Sequence, residues 1–131
     1  MRMFEPLPKE TELLAKAVVD AAYKVHTTLG PGLLESVYEA CLAHELRRRQ
    51  VLIETQVVIP IVYEGLRLES GLRIDMVVNK QLLVEVKAVE QMNRVFKAQI
   101  LTYLRLTQLR LGLLINFNVP LIKNGIERII L

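Results

Sequence analysis

GLRIDMVVNKQLLVEVKA, residues 71–88, reads as two antiparallel strands joined by a short turn. Val, Ile, Leu and Met dominate both arms, and Asn79-Lys80-Gln81 interrupts them. Side chains alternate faces along a strand. Arg73, Asp75 and Val77 therefore share one face of the first arm, and Ile74, Met76 and Val78 the other. On the second arm Leu83, Glu85 and Lys87 share a face, and Leu82, Val84, Val86 and Ala88 its opposite. Directly opposite residues of an antiparallel pair lie on the same side of the sheet. A three-residue turn over Asn79 to Gln81 sets Asp75 opposite Glu85, and such turns are common in hairpins.

Two carboxylates brought together repel each other and are costly to bury. A divalent cation between them removes the penalty, and Mg²⁺ is the hard cation usually held by one or two carboxylates plus substrate phosphates. Lys87 points to the same place, where it can orient a water or stabilise developing charge. The alternative is a surface hairpin with an ordinary ion pair across it, because D-x₉-E-x-K alone is a short pattern.

With 131 residues the chain is expected to form one domain, 1–131, with a single core. It is 52% hydrophobic and 24% charged, a globular balance. The net charge of +3 permits a polyanionic partner without requiring one. The single cysteine, Cys41, excludes an internal disulfide and reads as a small core residue. MRMFEPLPKE has no apolar signal core, and no apolar run is long enough to span a membrane, so a soluble cytoplasmic protein is the expectation.

Outward from the hairpin, Met1 to Lys9 reads as an extended arm with Pro6 and Pro8. A helix begins near Glu10 or Thr11, with Leu14, Val18, Ala21, Ala22, Val25 and Leu29 as its buried stripe. It stops at Leu29-Gly30-Pro31-Gly32. A second helix runs from about Leu33 to Gln50, with Leu34, Val37, Tyr38, Cys41, Leu42 and Leu46 as its apolar arc. From Val51 the period changes to two, and Pro60 marks an edge or bend before the Glu64-Gly65 turn. Leu66 to Leu68 returns, and Glu69-Ser70-Gly71 reads as a bulge or bend. A third helix covers roughly Met92 to Gln108, with Phe96, Ile100, Tyr103, Leu104 and Thr107 on one side. Arg110 to Phe117 is a buried strand, and Gly125 to Leu131 a final one. The order implies an α/β (α+β) fold, two N-terminal helices followed by a mixed sheet flanked by helices.

Several polar residues break the apolar pattern. Glu35 aligns with Tyr38, Leu42 and Leu46 on the second helix; the positive end of the helix dipole explains it structurally, and a ligand or catalytic role explains it functionally. Gln99 and Tyr103 share a helix face. The bland reading leaves Tyr103 in the core with its hydroxyl at the rim and Gln99 solvated. Arg94, Lys97, Arg105 and Gln108 form the opposite face with no acid between them, and His44, Arg47 and Arg48 make a second basic patch. Either can track phosphates, although a solvated face is the commoner meaning. His26, near the glycine turn, is read as held by a backbone carbonyl. Gly30-Pro31-Gly32 lacks the lysine and the preceding strand of a P-loop.

Gly32-Leu33-Leu34-Glu35-Ser36-Val37-Tyr38 resembles the signature of the small prokaryotic GxxExxY proteins. Val25-His26, Leu29-Gly30-Pro31-Gly32, Val84-Glu85-Val86-Lys87-Ala88-Val89 and Leu113-Leu114-Ile115-Asn116-Phe117 extend the resemblance over nearly the whole chain, from about Glu12 to Ile130. That family lies in the PD-(D/E)XK nuclease-like superfamily. Asp75 is similar to the first acid of that motif, with Ile74 where its name has proline, and Glu85-Val86-Lys87 to the E-x-K. Glu35 is similar to the helix glutamate that precedes the core in many members, and Gln99 with Tyr103 to the Q-x-x-x-Y element of RecB-like nucleases.

The resemblance implies a restriction-endonuclease-like fold and a metal-dependent phosphodiesterase acting on nucleic acid, with DNA placed ahead of RNA although no residue separates them. Asp75, Glu85 and the Val86 carbonyl would hold Mg²⁺ or Mn²⁺, with Glu35 as a further direct or water-mediated ligand. Lys87 would orient water or stabilise the transition state, Gln99 would position the E-x-K strand or touch substrate, and Tyr103 would support it. Arg73 either contacts a phosphate or pairs with the carboxylates, and Arg94, Lys97 and Arg105 are further candidate nucleic-acid contacts. The rival expectation is a catalytically silent nucleic-acid-binding or protein-interaction module. So small a chain would take sequence discrimination from a homodimer or a protein partner.

Overall fold

The protein was analysed as a computed structural model, which describes residues 5–131; the first four residues of the expected arm lie outside them. Helix α1 spans Lys9–Leu29 and α2 Glu35–Arg48. Strands β1 (Ile53–Tyr63), β2 (Leu66–Val78) and β3 (Leu82–Lys87) follow, then α3 (Arg94–Thr107), β4 (Leu111–Asn116), a 3₁₀ turn (Ile122–Gly125) and β5 (Ile126–Ile130). The strands form one sheet in the order β1-β2-β3-β4-β5. Only β3 and β4 run parallel, joined through α3. This is the α+β, restriction-endonuclease-like architecture that the resemblance implies, with two helices before a mixed sheet.

The chain reverses between α1 and α2 at Gly30 (φ +71°) and Gly32 (φ +99°), a backbone that glycine adopts without a Cβ penalty. Tyr38 locks that turn from within the core. Its hydroxyl donates to the Gly30 carbonyl at 2.6 Å and accepts the Leu33 N–H at 3.0 Å. Its ring stacks on Phe117, with centroids 4.7 Å apart. Tyr38 thus braces the turn that contains Gly32 from both sides and fixes where α2 starts. That start is Glu35, not Leu33. Leu34 is 73% exposed and Val37 and Leu29 also reach the surface, so the first turn of α2 projects past the sheet and the expected apolar stripes stop short there. Cys41 packs against the core without being fully buried.

α1 and α2 cover one face of the sheet, meeting Met76, Val78, Leu82, Val84 and Val86. α3 covers the other through Ile100 and Leu104, against Ile74, Val77, Leu83, Leu114 and Ile129. Gly112 allows its close approach, since a Cβ there would lie 2.5 Å from a methyl of Ile100. The β1–β2 ladder slips by two residues between Ile59↔Leu72 and Ile61↔Leu68, which is the irregularity expected around Pro60 and Glu69–Gly71. Pro60 sits on an edge strand, where its missing N–H costs no ladder bond.

One expectation fails. Ile74 does not share a face with Met76 and Val78, because it packs under α3 while they pack under α1 and α2. The reason is a kink at the Gln56–Asp75 step. Thr55 pairs with Met76 and Val57 with Ile74, but the step between them is skipped and Gln56 has φ +52°. Both strands roll over there, so Arg73 no longer shares the face of Val77.

Candidate active site

The β2–β3 hairpin turns through Asn79, Lys80 and Gln81, with the Gln81 N–H donating to the Val78 carbonyl at 2.9 Å. Asn79 and Lys80 take positive φ, as a tight hairpin turn requires. Val78 pairs with Leu82, Val77 with Leu83 and Met76 with Val84. Extended one step beyond the last ladder pair, that register would oppose Asp75 to Glu85. The ladder pairs stop there, and the Asp75 carboxylate accepts the Val86 N–H at 2.9 Å. The side chain of Asp75 is thereby pinned to the strand that carries the E-x-K.

Glu85 is 5% exposed, and that burial pushes its carboxyl up to about 9, helped by a hydrogen bond and charge repulsion from Asp75; the nearby Lys87 charge acts the other way. In the metal-free protein it is therefore neutral at pH 7. Lys87 is half-buried, with its ammonium 4.4 Å from the centre of the Phe96 ring on α3, a cation–π contact that steers a long side chain. Tyr103, on the same helix, is half-buried; burial raises its hydroxyl pKa, and the Glu85 and Asp75 charges add to the rise against a hydrogen bond from Gln99. Gln99 itself is exposed. The hairpin and α3 thus bring Asp75, Glu85, Lys87, Gln99 and Tyr103 into one neighbourhood.

Glu35 is different. It is exposed at the first residue of α2. The helix acid that meets the sheet is Glu39, one turn on, which no reading of the sequence singled out. Its carboxyl is raised by burial, against a hydrogen bond from Gln56, with repulsion from Asp75 and Glu35 adding to the rise. Gln56 Nε2 donates to Glu39 Oε2 at 2.7 Å and lies 3.5 Å from Asp75 Oδ1. The i, i+4 spacing of Glu35 and Glu39 was a legible signal for the second acid; Gln56 carried none.

Asn116 is the other residue passed over. It is 1% exposed, pairs with Lys87 in the parallel β3–β4 ladder, and closes the end of the site strand. Its Oδ1 accepts from the N–H groups of Val89 and Asn118 at 3.1 Å, and its Nδ2 donates to the Val89 carbonyl at 2.9 Å. The signal was a lone amide in a continuous apolar run, since a buried polar side chain must find partners. His26 meets its expectation, with Nε2–H donating to the Val119 carbonyl at 2.7 Å.

The basic residues do not converge on this site as a group. Lys97 is 3.6 Å from Glu127 of β5, so the face of α3 expected to lack acids is partly neutralised from the sheet. Arg105 donates to Thr102 within its own helix. Arg48 lies 3.9 Å from Glu45. Arg73 and Arg94 are exposed. Arg47 instead lines a cleft of about 480 Å³ between α2 and β1, together with Ser36, Glu39, Thr55 and Gln56.

The donors near Asp75 are carboxylate oxygens, which suit a hard divalent cation rather than zinc or copper. Among the described residues no group of three His, Cys, Asp or Glu side chains could hold a metal ion. Mg²⁺ needs no such cage, because it keeps several waters and uses one or two carboxylates with substrate phosphates. A buried carboxyl forced neutral beside a second acid is a donor pair that a cation would relieve, and on that ground the residues fit the metal.

A family model for the PD-(D/E)XK nuclease superfamily matches residues 12–129. No curated protein and no solved structure matches the chain. The matched segment runs from α1 into β5 and contains the whole Asp75–Glu85–Lys87 hairpin. With the fold and the spacing of its acids in agreement, the chain belongs to the PD-(D/E)XK nuclease superfamily.

Proposed function

We propose that this protein is a Mg²⁺- or Mn²⁺-dependent nuclease of GxxExxY type that hydrolyses phosphodiester bonds, with DNA ahead of RNA as substrate. The reading takes residues 1–131 as one domain working in the cytoplasm. The observation that carries it is the Asp75 carboxylate, which lies against the buried Glu85 and accepts the Val86 N–H at 2.9 Å. Membership of a nuclease superfamily supports the chemistry.

In this reading Asp75, Glu85 and the Val86 carbonyl would hold the cation, with the α2 acids Glu35 and Glu39 as further direct or water-mediated partners. The ion, when bound, supplies polarisation of a phosphate oxygen and a bound water of lowered pKa. Glu85 must give up its proton for the ion to bind, so affinity rises with pH. Lys87 leaves Phe96 to orient water or balance charge on the phosphate as the transition state forms. Tyr103 keeps Gln99 in reach of the E-x-K strand. Arg73, Arg94, Lys97 and Arg105 are offered as phosphate contacts around the site, with Lys97 released from Glu127 on binding.

The test is cleavage of mixed DNA and RNA with Mn²⁺, Mg²⁺ or EDTA, comparing wild type with Asp75→Ala and Lys87→Ala. Metal-dependent cutting lost in both variants is expected. Cutting that survives both substitutions, or in EDTA, overturns the reading. A silent nucleic-acid-binding or interaction module is the second reading. One observation favours it: Glu35, expected as a further ligand, is exposed at the first residue of α2. Nucleic-acid binding without Mn²⁺ uptake would establish it.

A further inference from the structure

Gln56 stands where three features coincide. It is a non-glycine residue at φ +52°. It occupies the step of the β1–β2 ladder skipped between Thr55↔Met76 and Val57↔Ile74. Its amide nitrogen lies 2.7 Å from Glu39 on α2 and 3.5 Å from Asp75 on β2. A regular strand would send the residue opposite Asp75 to the same side as Asp75 with ordinary extended geometry. The left-handed turn of the backbone instead rolls both strands and delivers the amide to a cleft between helix and sheet.

We propose that Gln56 is a positioning residue, whose amide ties the helix acid Glu39 to the sheet acid Asp75 and so fixes the Asp75 carboxylate for its cation. The inference rests on the metal-dependent reading above. An amide suits the task chemically. Its NH₂ group carries two protons and can serve two carboxylates at once without adding charge. A glutamate in its place would add a third negative group, and a lysine would compete with the cation for both acids. Asp75 is then held from two sides: one oxygen by the Val86 N–H, the other directed toward Gln56. Partners behind metal ligands orient them in this way, and losing one typically weakens metal binding tenfold or more.

The experiment is calorimetric titration with Mn²⁺, beside thermal melts in EDTA, on wild type, Gln56→Gly, Gln56→Asn, Glu39→Ala and the Gln56→Gly/Glu39→Ala pair. Glycine adopts positive φ freely, so Gln56→Gly should melt at or above the wild-type temperature. It should nevertheless bind Mn²⁺ about tenfold more weakly. Asparagine tolerates the same backbone but its shorter amide does not span both acids, and an intermediate loss is expected. Without Glu39, removing the Gln56 amide should cost little more, because linked residues are non-additive. Wild-type Mn²⁺ affinity in Gln56→Gly or Gln56→Asn overturns the inference and leaves the nuclease reading standing. Full additivity in the double variant also overturns it. A wild type that takes up no Mn²⁺ overturns both.

Discussion

On the face of the sheet covered by α1 and α2, the buried cluster holds twenty apolar side chains among the described residues; on the face covered by α3 it holds seven. The first face has two helices, and the strand carboxylate that reaches them is Asp75, at the rim beside Gln56 and Glu39. The second has one helix, and its strands carry Glu85 and Lys87, the latter against Phe96 of that helix. A buried ionisable group costs stability unless it is paired or neutralised. The chain can carry Glu85 at 5% exposure because the opposite face holds most of the apolar core. Most of the apolar packing thus lies away from Glu85 and Lys87, and substitutions can test how far stability and chemistry separate.

The largest effect is expected at Glu85. Glu85→Gln should lower metal-dependent cleavage by about 100-fold or more, the scale of losing a charged group used in the transition state. The same variant should melt higher than wild type in EDTA at pH 8, because the amide is buried neutral without the proton that folded Glu85 must take up at that pH. A variant that lost both activity and stability would collapse the distinction between the faces.

Next comes the apolar face. Leu42→Ala should cost about 2–5 kcal/mol in urea unfolding, as deletion from a full core does, since Leu42 is fully buried. Cleavage per folded molecule should hardly change. A large loss of activity in the still-folded protein would mean that the two faces are coupled.

Tyr38→Phe probes the turn between the two helices. It removes the hydroxyl shared by Gly30 and Leu33 but keeps the stack on Phe117. A loss of about 1 kcal/mol is expected by chemical denaturation, the net worth of such hydrogen bonds.

A slope with pH is also expected. The folded-state pKa of Glu85 is raised from 4.5 to about 9, so the fold favours its neutral form. Its contribution to stability is complete below pH 4.5 and is lost as pH rises through about 9. Metal-free wild type should therefore lose more stability between pH 5 and pH 9 than Glu85→Gln, measured by melts in EDTA. Equal slopes would show that Glu85 is not buried as a neutral acid. Saturating Mn²⁺ should flatten the wild-type slope, because the ion takes the carboxylate form.

The order of elements, the three-residue turn and the nearness of Asp75 to Glu85 were legible in the chain. Each is a local matter. Alternation and turn chemistry act over a few residues, and register follows from turn length. The E-x-K and Q-x-x-x-Y spacings were legible for the same reason. Lys97 was read as part of an unopposed basic face, because its partner Glu127 arrives from a strand thirty residues later in the chain.

What the tertiary structure alone decided is which acid on α2 faces the sheet, and how. The helical period put Glu35 and Glu39 on one side, but the turn anchored by Tyr38 set how far α2 overhangs, leaving Glu35 exposed and Glu39 against Gln56. The kink at Gln56 decided the faces of Ile74 and Arg73, and a positive φ at a glutamine leaves no trace in composition or spacing. Sequence determines what neighbouring residues impose on one another. The meeting of β1, β2 and α2 around Asp75 depends on packing among segments far apart in the chain, and only the folded protein settles it.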